Sequence, residues 1–218
     1  MSLTVVSTPI GDLGDITLRG KKTLEEAEII ICEELKPARV LLKRLEIEEK
    51  ELFPLNEHSK SVDIKPLVEM CKNKKVALIS DCGTPGFFDP GPELVKGCLE
   101  VGIKVEVNPG ASSLMAFLSL SGERIQKFLF CGFLPAEREE RSQALKKLTN
   151  TKDPIFIMDT PYRLNSTLKD LVTHNFGTKR AVLGMDLTGP HQEMARGSVQ
   201  ELAAKEWTKL PFILLVIP

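Results

Sequence analysis

The chain has 218 residues, of which 42% are hydrophobic and 27% charged, and its formal net charge is −1 at pH 7. This composition is typical of a globular protein with one large domain or two small ones. The small net charge excludes a general attraction to nucleic acid, so any binding of RNA must depend on a local basic surface or on a partner.

The sequence predicts neither a membrane span nor an exported protein. No apolar run approaches the roughly 18 residues that cross a bilayer. The N-terminus lacks a basic leader followed by an apolar stretch, so we expect a cytoplasmic protein. The cysteines are odd in number and form no C-x-x-C pair, which predicts reduced thiols and neither a disulfide framework nor a metal site. They are Cys32, Cys71, Cys82, Cys98 and Cys131.

Short β-branched runs alternate with amphipathic stretches in the first half of the chain. The predicted strands span residues 3–7, 28–32, 75–80 and 103–107. Apolar residues at helical spacing predict helices over residues 18–27, 37–45, 64–73 and 92–101. Because strands and helices alternate, we predict a largely parallel sheet covered by helices.

A helix predicted over residues 112–120 is apolar nearly all round, and a polar break follows it at 121–124. We therefore predict an N-terminal α/β domain over 1–120 and a C-terminal α/β domain over 121–218. In the second half, the predicted strands span residues 128–133, 154–158, 181–186, 193–196 and 212–217, and the predicted helices span 137–148 and 165–172. The tighter turns between these strands favour a mixed or antiparallel sheet.

Three loops rich in glycine and proline follow predicted strands, at the sheet edge where open α/β sheets bind ligands. They span residues 7–17, 81–91 and 108–113. Glycine lets the backbone approach a ligand closely, and Asp81 offers a carboxylate to a ribose or an amino group. Each loop alone also fits an ordinary turn. Together, the three loops favour a ligand cleft without naming its ligand.

Two common nucleotide-binding motifs are absent from the sequence. There is no G-x-x-x-x-G-K-[ST], so a P-loop nucleoside triphosphatase is not supported. No G-x-G-x-x-G follows the first strand, so an ordinary Rossmann site is not supported either. The residues alone therefore indicate an α/β protein with a polar cleft and a small-molecule ligand.

The same loops resemble the motifs of the tetrapyrrole methylase family. Residues 5–19 read VVSTPIGDLGDITLR, close to that family's T-P-I-G-N-L-x-D-I-T-L-R. Residues 76–91 read VALISDCGTPGFFDPG, nearly its V-A-L-I-S-D-A-G-T-P-x-x-x-D-P-G. Pro-Gly at 109–110 and Gly-Phe-Leu-Pro at 132–135 continue the family pattern in the same order. The resemblance therefore covers almost the whole chain.

Within this family, the likeness is to enzymes that methylate a cytidine ribose 2′-hydroxyl in small-subunit ribosomal RNA. The resemblance implies a two-domain tetrapyrrole methylase-like fold, with S-adenosylmethionine in a cleft between the domains. It also implies a homodimer whose substrate is small-subunit ribosomal RNA or the 30S subunit. Carried over by position, the implied cofactor contacts are Pro9, Ile10, Asp81, Gly83, Thr84, Ser112, Ser113, Met158, Met185, Leu187 and Pro211. For Met158 and Met185, core packing is an equally good explanation.

Several departures from the family pattern lie outside the cofactor loops. Residues 34–36 read Glu-Leu-Lys where the family usually has D-T-R, and residues 136–137 read Ala-Glu where it has Arg-Lys. Residues 158–164 and 185–189 differ as well. Because phosphate contacts dominate the affinity of proteins for RNA, lost cations predict weaker binding. The cations that remain as candidate phosphate contacts are Lys36, Arg39, Arg138, Arg141 and Arg163.

The sequence identifies no catalytic base. Methyl transfer to a hydroxyl needs alignment of the reactants and removal of a proton. Glu33, Asp186 and His191 are candidates by position, although each fits a surface or structural role better. The leading hypothesis is methylation of a ribose 2′-hydroxyl in small-subunit ribosomal RNA. The alternatives are a relative that methylates a small molecule such as a tetrapyrrole, or another RNA, and a protein that binds the cofactor without turnover.

Overall fold

A computed structural model describes residues 1–56, 64–89 and 91–218. The chain forms two compact units, Met1–Ser112 and Ser113–Pro218. Each unit has its own five-stranded sheet, parallel in the first and mixed in the second. The predicted α/β class and the two kinds of sheet are therefore confirmed. Within the described ranges, no helix has both the length and the apolar character needed to span a membrane.

The first unit is a parallel sheet with strand order β3-β2-β4-β1-β5. Its strands are β1 (Ser2–Val6), β2 (Ile29–Cys32), β3 (Glu51–Pro54), β4 (Lys75–Leu78) and β5 (Val105–Asn108). Its helices are α1 (Leu18–Glu26), α2 (Leu35–Arg44), α3 (Ile64–Asn73) and α4 (Pro92–Glu100). The short edge strand β3 is absent from the elements predicted above.

The core of the first unit lies on both faces of this sheet. All four residues of β2 are buried, which is typical of a parallel strand covered on both sides. Ile29 and Ile31 join an apolar cluster with α3 and α4. Ile30 and Cys32 join a second cluster with α1 and α2, because alternate residues of a strand face opposite sides.

The second unit is a mixed sheet with strand order β6-β7-β10-β8-β9. Strand β6 pairs with β7 in parallel, and the other pairs are antiparallel. The strands are β6 (Leu129–Phe133), β7 (Ile155–Asp159), β8 (Arg180–Met185), β9 (Glu193–Ser198) and β10 (Phe212–Ile217). The helices are α5 (Ser113–Ser121), α6 (Arg138–Leu148), α7 (Leu164–Leu171) and α8 (Val199–Ala203).

Helix α5 packs on the second sheet, against β8 and β10. The ring of Phe117 lies over Gly184, where a Cβ would come within 2.7 Å of Phe117 Cδ2. Phe117 also makes an edge-on contact with Phe156, with ring centroids 5.6 Å apart. The predicted boundary after residue 120 falls at the end of α5, whereas the contacts of the chain group α5 with the second unit. A helix that is apolar nearly all round does not reveal from sequence which sheet it covers.

Candidate functional site

The three glycine-rich loops lie next to one another at the carboxyl edge of the first sheet. Strand β1 lies between β4 and β5, so the segments that follow these three strands are neighbours. Each segment leaves its strand at the same edge, because the strands are parallel. This is the edge at which open α/β sheets bind ligands, as the sequence predicts.

Thr8 joins the first loop to the second. Its backbone amide donates to the carbonyl of Gly83 at 2.8 Å. Its hydroxyl lies 3.2 Å from the carbonyl of Ser80 and 3.3 Å from that of Gly83. Thr8 and Ser80 are almost fully buried, at 1% and 2% exposure. The Thr8 hydroxyl therefore takes the place of water as a hydrogen-bond donor to the carbonyls of Ser80 and Gly83, which burial would otherwise leave without this partner.

Thr84 joins the second loop to the third and the first. Its hydroxyl donates to the carbonyl of Ala111 at 3.0 Å. Because that hydroxyl has one proton, it accepts from Ser7 Oγ, which lies 2.8 Å away. Sequence reasoning placed Thr84 among the cofactor contacts and missed its role as a bridge between loops. Ser7 and Thr8 were also missed, although polar side chains at the end of a buried strand are a usable signal.

Two glycines allow the loops to approach this closely. A Cβ at Gly110 would lie 2.9 Å from the Cβ of Ser7, closer than side chains tolerate. Gly83 has φ +84°, and a Cβ there would lie 3.4 Å from Ile10 Cγ2. The predicted contact residues Ile10 and Gly83 are therefore neighbours in the structure, and Pro9 directly precedes Ile10.

Acidic side chains gather at the same edge, where β2 and β4 end. Asp81 Oδ1 accepts from the amide of Glu34 at 3.2 Å, and the amide of Asp81 donates to Glu33 Oε2 at 3.3 Å. Burial, followed by the negative charge of Glu33, raises the pKa of Asp89 to about 6, against a smaller lowering by its hydrogen bond to Ser80. Burial also raises the pKa of the Cys82 thiol. The edge therefore favours a positively charged ligand, which would relieve the repulsion between these carboxylates.

The predicted site residues of the second unit also lie at one sheet edge. Phe212 pairs with Met185 on one side and with Asp159 on the other, so β7 and β8 end where β10 begins. The amide of Asp186 donates to the carbonyl of Pro211 at 2.8 Å. The predicted residues at this edge are Met158, Met185, Leu187 and Pro211.

These side chains differ in burial. Met185 is 2% exposed and belongs to the apolar core of the second unit, and Leu187 is 7% exposed. Met158 is half-buried and Pro211 is exposed. Met185 therefore contributes to the core, whether or not it also contacts a ligand.

The loop after β8 has an unusual backbone. Asp186 and Thr188 both have positive φ, at 47° and 61°, a conformation that costs free energy for any residue except glycine and most for a β-branched one. The carboxylate of Asp186 accepts from the amide of His191 at 2.8 Å. The carboxylate of Asp186 is thus bound to the backbone of His191, the second positional candidate for a catalytic base in this unit, and this bond does not involve the imidazole.

Two arginines that the sequence offered as phosphate contacts hold the loop after β6 instead. Arg163 lies 3.2 Å from the buried carboxylate of Asp159 and donates to the carbonyl of Leu134 at 3.0 Å. Arg141 pairs with Asp170 at 2.7 Å and donates to the carbonyl of Pro135 at 3.0 Å. Several of their N–H groups are used within the protein, so the structure gives Arg141 and Arg163 a structural role in holding this loop.

The remaining predicted residues lie where the two units join along the chain. Ser112 ends the first unit, Ser113 begins α5, and both are half-buried. Across residues 1–56, 64–89 and 91–218, no three His, Cys, Asp or Glu side chains are arranged to hold a metal ion.

Comparison with known proteins identifies relatives over nearly the whole chain. Residues 2–203 match the family of Tetrapyrrole (Corrin/Porphyrin) Methylases. The chain is 39% identical to the Ribosomal RNA small subunit methyltransferase I of Thermotoga maritima over 210 aligned residues. The alignment covers 96% of this chain and 93% of that protein. It is 35% identical over 209 residues to the protein of the same name from Halalkalibacterium halodurans, which covers 95% of this chain and 71% of that protein.

Solved structures share the fold at lower sequence identity. Diphthine synthase superposes with a TM-score of 0.78 at 16% identity, covering 100% of this chain and 90% of that one. Uroporphyrin-III-C-methyltransferase from Thermus thermophilus superposes with a TM-score of 0.68 at 19% identity, covering 99% of this chain and 94% of that one. At these identities, the likeness establishes the fold alone.

Proposed function

This chain belongs to the tetrapyrrole (corrin/porphyrin) methylase family, and from that premise we propose that it transfers a methyl group from S-adenosylmethionine to a ribose 2′-hydroxyl of small-subunit ribosomal RNA. The observation that carries the proposal is the 39% identity to a ribosomal RNA small-subunit methyltransferase across 96% of the chain. The sequence identity to the uroporphyrin methyltransferase is 19%, a level that supports a shared fold only. It therefore gives no support to a tetrapyrrole substrate.

The carboxyl edge of the first sheet fits S-adenosylmethionine. This cofactor carries a positive sulfonium and an ammonium group, and the carboxylates of Glu33, Asp81 and Asp89 lie at that edge. A Cβ at Gly86 would meet no atom within 4 Å, so a ligand can approach that stretch of backbone closely. The buried Gly83 turns the chain at positive φ beside it. These features support Pro9, Ile10, Asp81, Gly83 and Thr84 as proposed contacts, joined by Ser112 and Ser113.

When bound, S-adenosylmethionine supplies a methyl group that its positive sulfur already activates, so the residues of this chain mainly bind and orient. The hydroxyls of Thr8 and Thr84 fix the three loops in one arrangement. The Glu34 amide holds Asp81 Oδ1 and thereby orients that carboxylate at the end of β4. In the second unit, we propose that Met158, Met185, Leu187 and Pro211 complete the cofactor contacts. A site ordered before the ligand binds loses less entropy on binding.

We further propose a cytoplasmic homodimer, as the family resemblance implies. Sedimentation equilibrium of the purified chain checks the oligomeric state. A single species with the 24.2 kDa mass of one chain at micromolar concentration would contradict the dimer.

Methyl transfer is tested with labelled S-adenosylmethionine and small ribosomal subunits from a strain that lacks the ribose methylation. We expect label in the small-subunit RNA, recovered after digestion as a 2′-O-methyl nucleoside. Uroporphyrinogen, offered in a parallel reaction, should remain unlabelled. Label in the porphyrinogen alone, or in neither acceptor while calorimetry shows bound cofactor, would overturn the proposed substrate.

The cofactor site is tested separately with Asp81→Ala. Calorimetry should show weaker binding of S-adenosylmethionine by tenfold or more, since a hydrogen bond to a charged group contributes about 1.5–3 kcal/mol. Asp81→Asn keeps an acceptor for the Glu34 amide and separates loss of charge from loss of loop structure. Unchanged affinity in Asp81→Ala would show that the cofactor binds elsewhere.

A further inference from the structure

Helix α2 carries four cations and no carboxylate in its ten residues, which read LKPARVLLKR. Lys36, Arg39, Lys43 and Arg44 are all solvent-exposed. The first three recur at spacings of three and four residues, so they form one stripe on the helix. From Lys36 to Lys43 the stripe extends over roughly 10 Å of helix axis. Ala38 and Leu42 are buried and lie on the flank of the helix next to the stripe.

The cations of this stripe are not neutralised within the described residues. No carboxylate there lies within ion-pair distance of Lys36, Arg39 or Lys43. Helix α1 is the opposite case, because Lys21 pairs with Glu25 at 3.8 Å and Lys22 with Glu26 at 3.7 Å. The α2 stripe therefore presents its positive charge outward, although the chain as a whole carries −1.

An open cavity of about 440 Å³ lies beside the stripe. Arg39 and Lys43 line it together with Lys50, and these three cations outnumber the carboxylate of Glu49. The ammonium of Lys50 donates to the carbonyl of Glu25 at 2.6 Å, which fixes its position. The apolar part of the lining is Leu42, Ile47 and Leu52. The cavity thus offers apolar surface with positive charge around it.

We propose that the α2 stripe and this cavity form a docking surface for the sugar-phosphate backbone of the RNA substrate, an inference that rests on the proposed function. A row of separate cations along a helix suits a polymer with evenly spaced negative charges better than a single anion. A membrane surface fits poorly, because an interfacial helix inserts a broad apolar face. In this segment Ala38, Leu42 and Leu45 are buried in the protein, and the exposed Val40 alone does not form such a face.

The surface is joined to the cofactor edge through the start of α2. Glu34, which precedes the helix, donates its amide to Asp81 Oδ1. Lys36 follows two residues later, so RNA held by the stripe begins next to the loop that carries Asp81. No residue of the stripe is among the proposed cofactor contacts, so we assign to the stripe the affinity and the position of the RNA.

The test compares two triple variants with the same loss of charge. The first removes the stripe, with Lys36→Gln, Arg39→Gln and Lys43→Gln. The control removes exposed lysines that pair with glutamates of their own helices, with Lys21→Gln, Lys22→Gln and Lys96→Gln. Binding of purified small-subunit ribosomal RNA is measured by filter retention between about 50 and 200 mM KCl, a range that resolves the salt slope. The affinity for S-adenosylmethionine, measured by calorimetry, reports whether each variant is folded.

The stripe variant should show a salt slope of log K smaller by roughly 2 to 3, since each lost phosphate contact removes about 0.7–0.9. Its KM for small subunits should rise at least tenfold, with kcat and cofactor affinity unchanged. The KM of the control variant for small subunits should stay within about twofold of the wild-type value, because exposed lysines in such ion pairs contribute little to stability. A stripe variant with the wild-type slope and KM would overturn the inference and leave the proposed function intact.

The filter measurement also separates the two proposals. If the wild type transferred no methyl group to small subunits, the proposed function would fail, while loss of RNA binding in the stripe variant would still support the surface. Wild-type binding to vesicles of phosphatidylglycerol that depended on the stripe, with no binding to RNA, would assign the surface to membranes and overturn the inference.

Discussion

The two sheet edges that carry the candidate residues are built differently. At the edge of the first sheet, hydrogen bonds of Thr8 and Thr84 and the close approach at Gly110 hold three loops together. At the edge of the second sheet, Met185 and Leu187 are buried and take their places from the core. The candidate residues at the first edge are therefore positioned by polar bridges between loops. Those at the second edge are positioned by packing in the core.

This difference separates two kinds of mutational effect. Changes in the second unit should lower the free energy of unfolding, because they disturb buried groups. Changes at the first edge should weaken cofactor binding by more than their cost in stability explains. The following substitutions test that separation.

The largest effect is expected for Arg163→Met, which leaves the buried carboxylate of Asp159 without its ion pair. Removing one partner of a buried pair costs about 3 kcal/mol or more, and urea unfolding at pH 7.5 measures the loss. Burial already raises the pKa of Asp159, and loss of the cation raises it further. The difference in the free energy of unfolding between Arg163→Met and wild type is therefore largest above the pKa that Asp159 has in the variant. This difference shrinks as the pH falls through that pKa.

Two controls identify the cause of that loss. Arg163→Lys keeps the charge but loses the forked geometry that reaches the Leu134 and Pro135 carbonyls, and it should lie between wild type and Arg163→Met. Adding Asp159→Asn to Arg163→Met should recover part of the stability. If Arg163→Met is as stable as wild type at pH 7.5, the ion pair does not hold this loop.

A smaller loss is expected for Gly110→Ala, where a Cβ would lie 2.9 Å from the Cβ of Ser7. We expect about 1–3 kcal/mol lower stability from crowding. Because the loop that contains Gly110 must move, the affinity for S-adenosylmethionine should fall at least tenfold in calorimetry. Gly97→Ala is the matched control, since its Cβ would lie 2.9 Å from Val68 Cγ2 in α3, away from the edge. If both variants lose cofactor affinity equally, the edge has no special role.

Thr8→Val should cost about 1–2 kcal/mol, because the buried carbonyl of Ser80 loses the hydroxyl donor. Thr8→Ser keeps that donor and should stay close to wild type. Hydrogen exchange should show faster exchange of the amides in the second loop of Thr8→Val. Equal exchange in Thr8→Val and Thr8→Ser would argue against the bridge.

The smallest effect is expected for Asp89→Asn, because Asp89 is only half-buried and solvent screens its charge. The pKa of Asp89 rises from 3.8 to about 6 in the folded chain, so its ionisation lowers stability above pH 6, and this cost is absent below pH 3.8. The stability of Asp89→Asn relative to wild type should therefore increase from pH 4.5 to pH 7.5 in urea unfolding. A difference that is constant with pH would contradict the raised pKa.

The first edge could be predicted from sequence because its signals are local. Residues 7–17 and 81–91 combine glycine and proline directly after β-branched runs, and the strand order then brings them together. Their motifs also carry the family resemblance. The bridges of Thr8 and Thr84 were not predicted, since a hydroxyl does not reveal in the sequence which distant carbonyl it meets.

Other features depend on tertiary contacts that no local pattern contains. Arg141 and Arg163 looked free until their partners Asp170 and Asp159 came beside them. Strand β3 was missed because four residues at a sheet edge show too short a pattern to recognise. The helix predicted over 37–45 begins at Leu35 in the structure and therefore includes Lys36, which the predicted bounds leave out.

The position of β1 between β4 and β5 also fixes the order in which the first unit can be completed. Its two neighbours, β4 and β5, begin at Lys75 and Val105, although β1 ends at Val6. A ribosome adds about 5–20 residues per second, so β1 waits several seconds for its hydrogen-bonding partners. Until then, Leu3 and Val6, which are buried in the folded protein, lack the neighbouring strands of their sheet. The first sheet can therefore close only after β5 has been synthesised, because β1 pairs with β4 on one side and with β5 on the other.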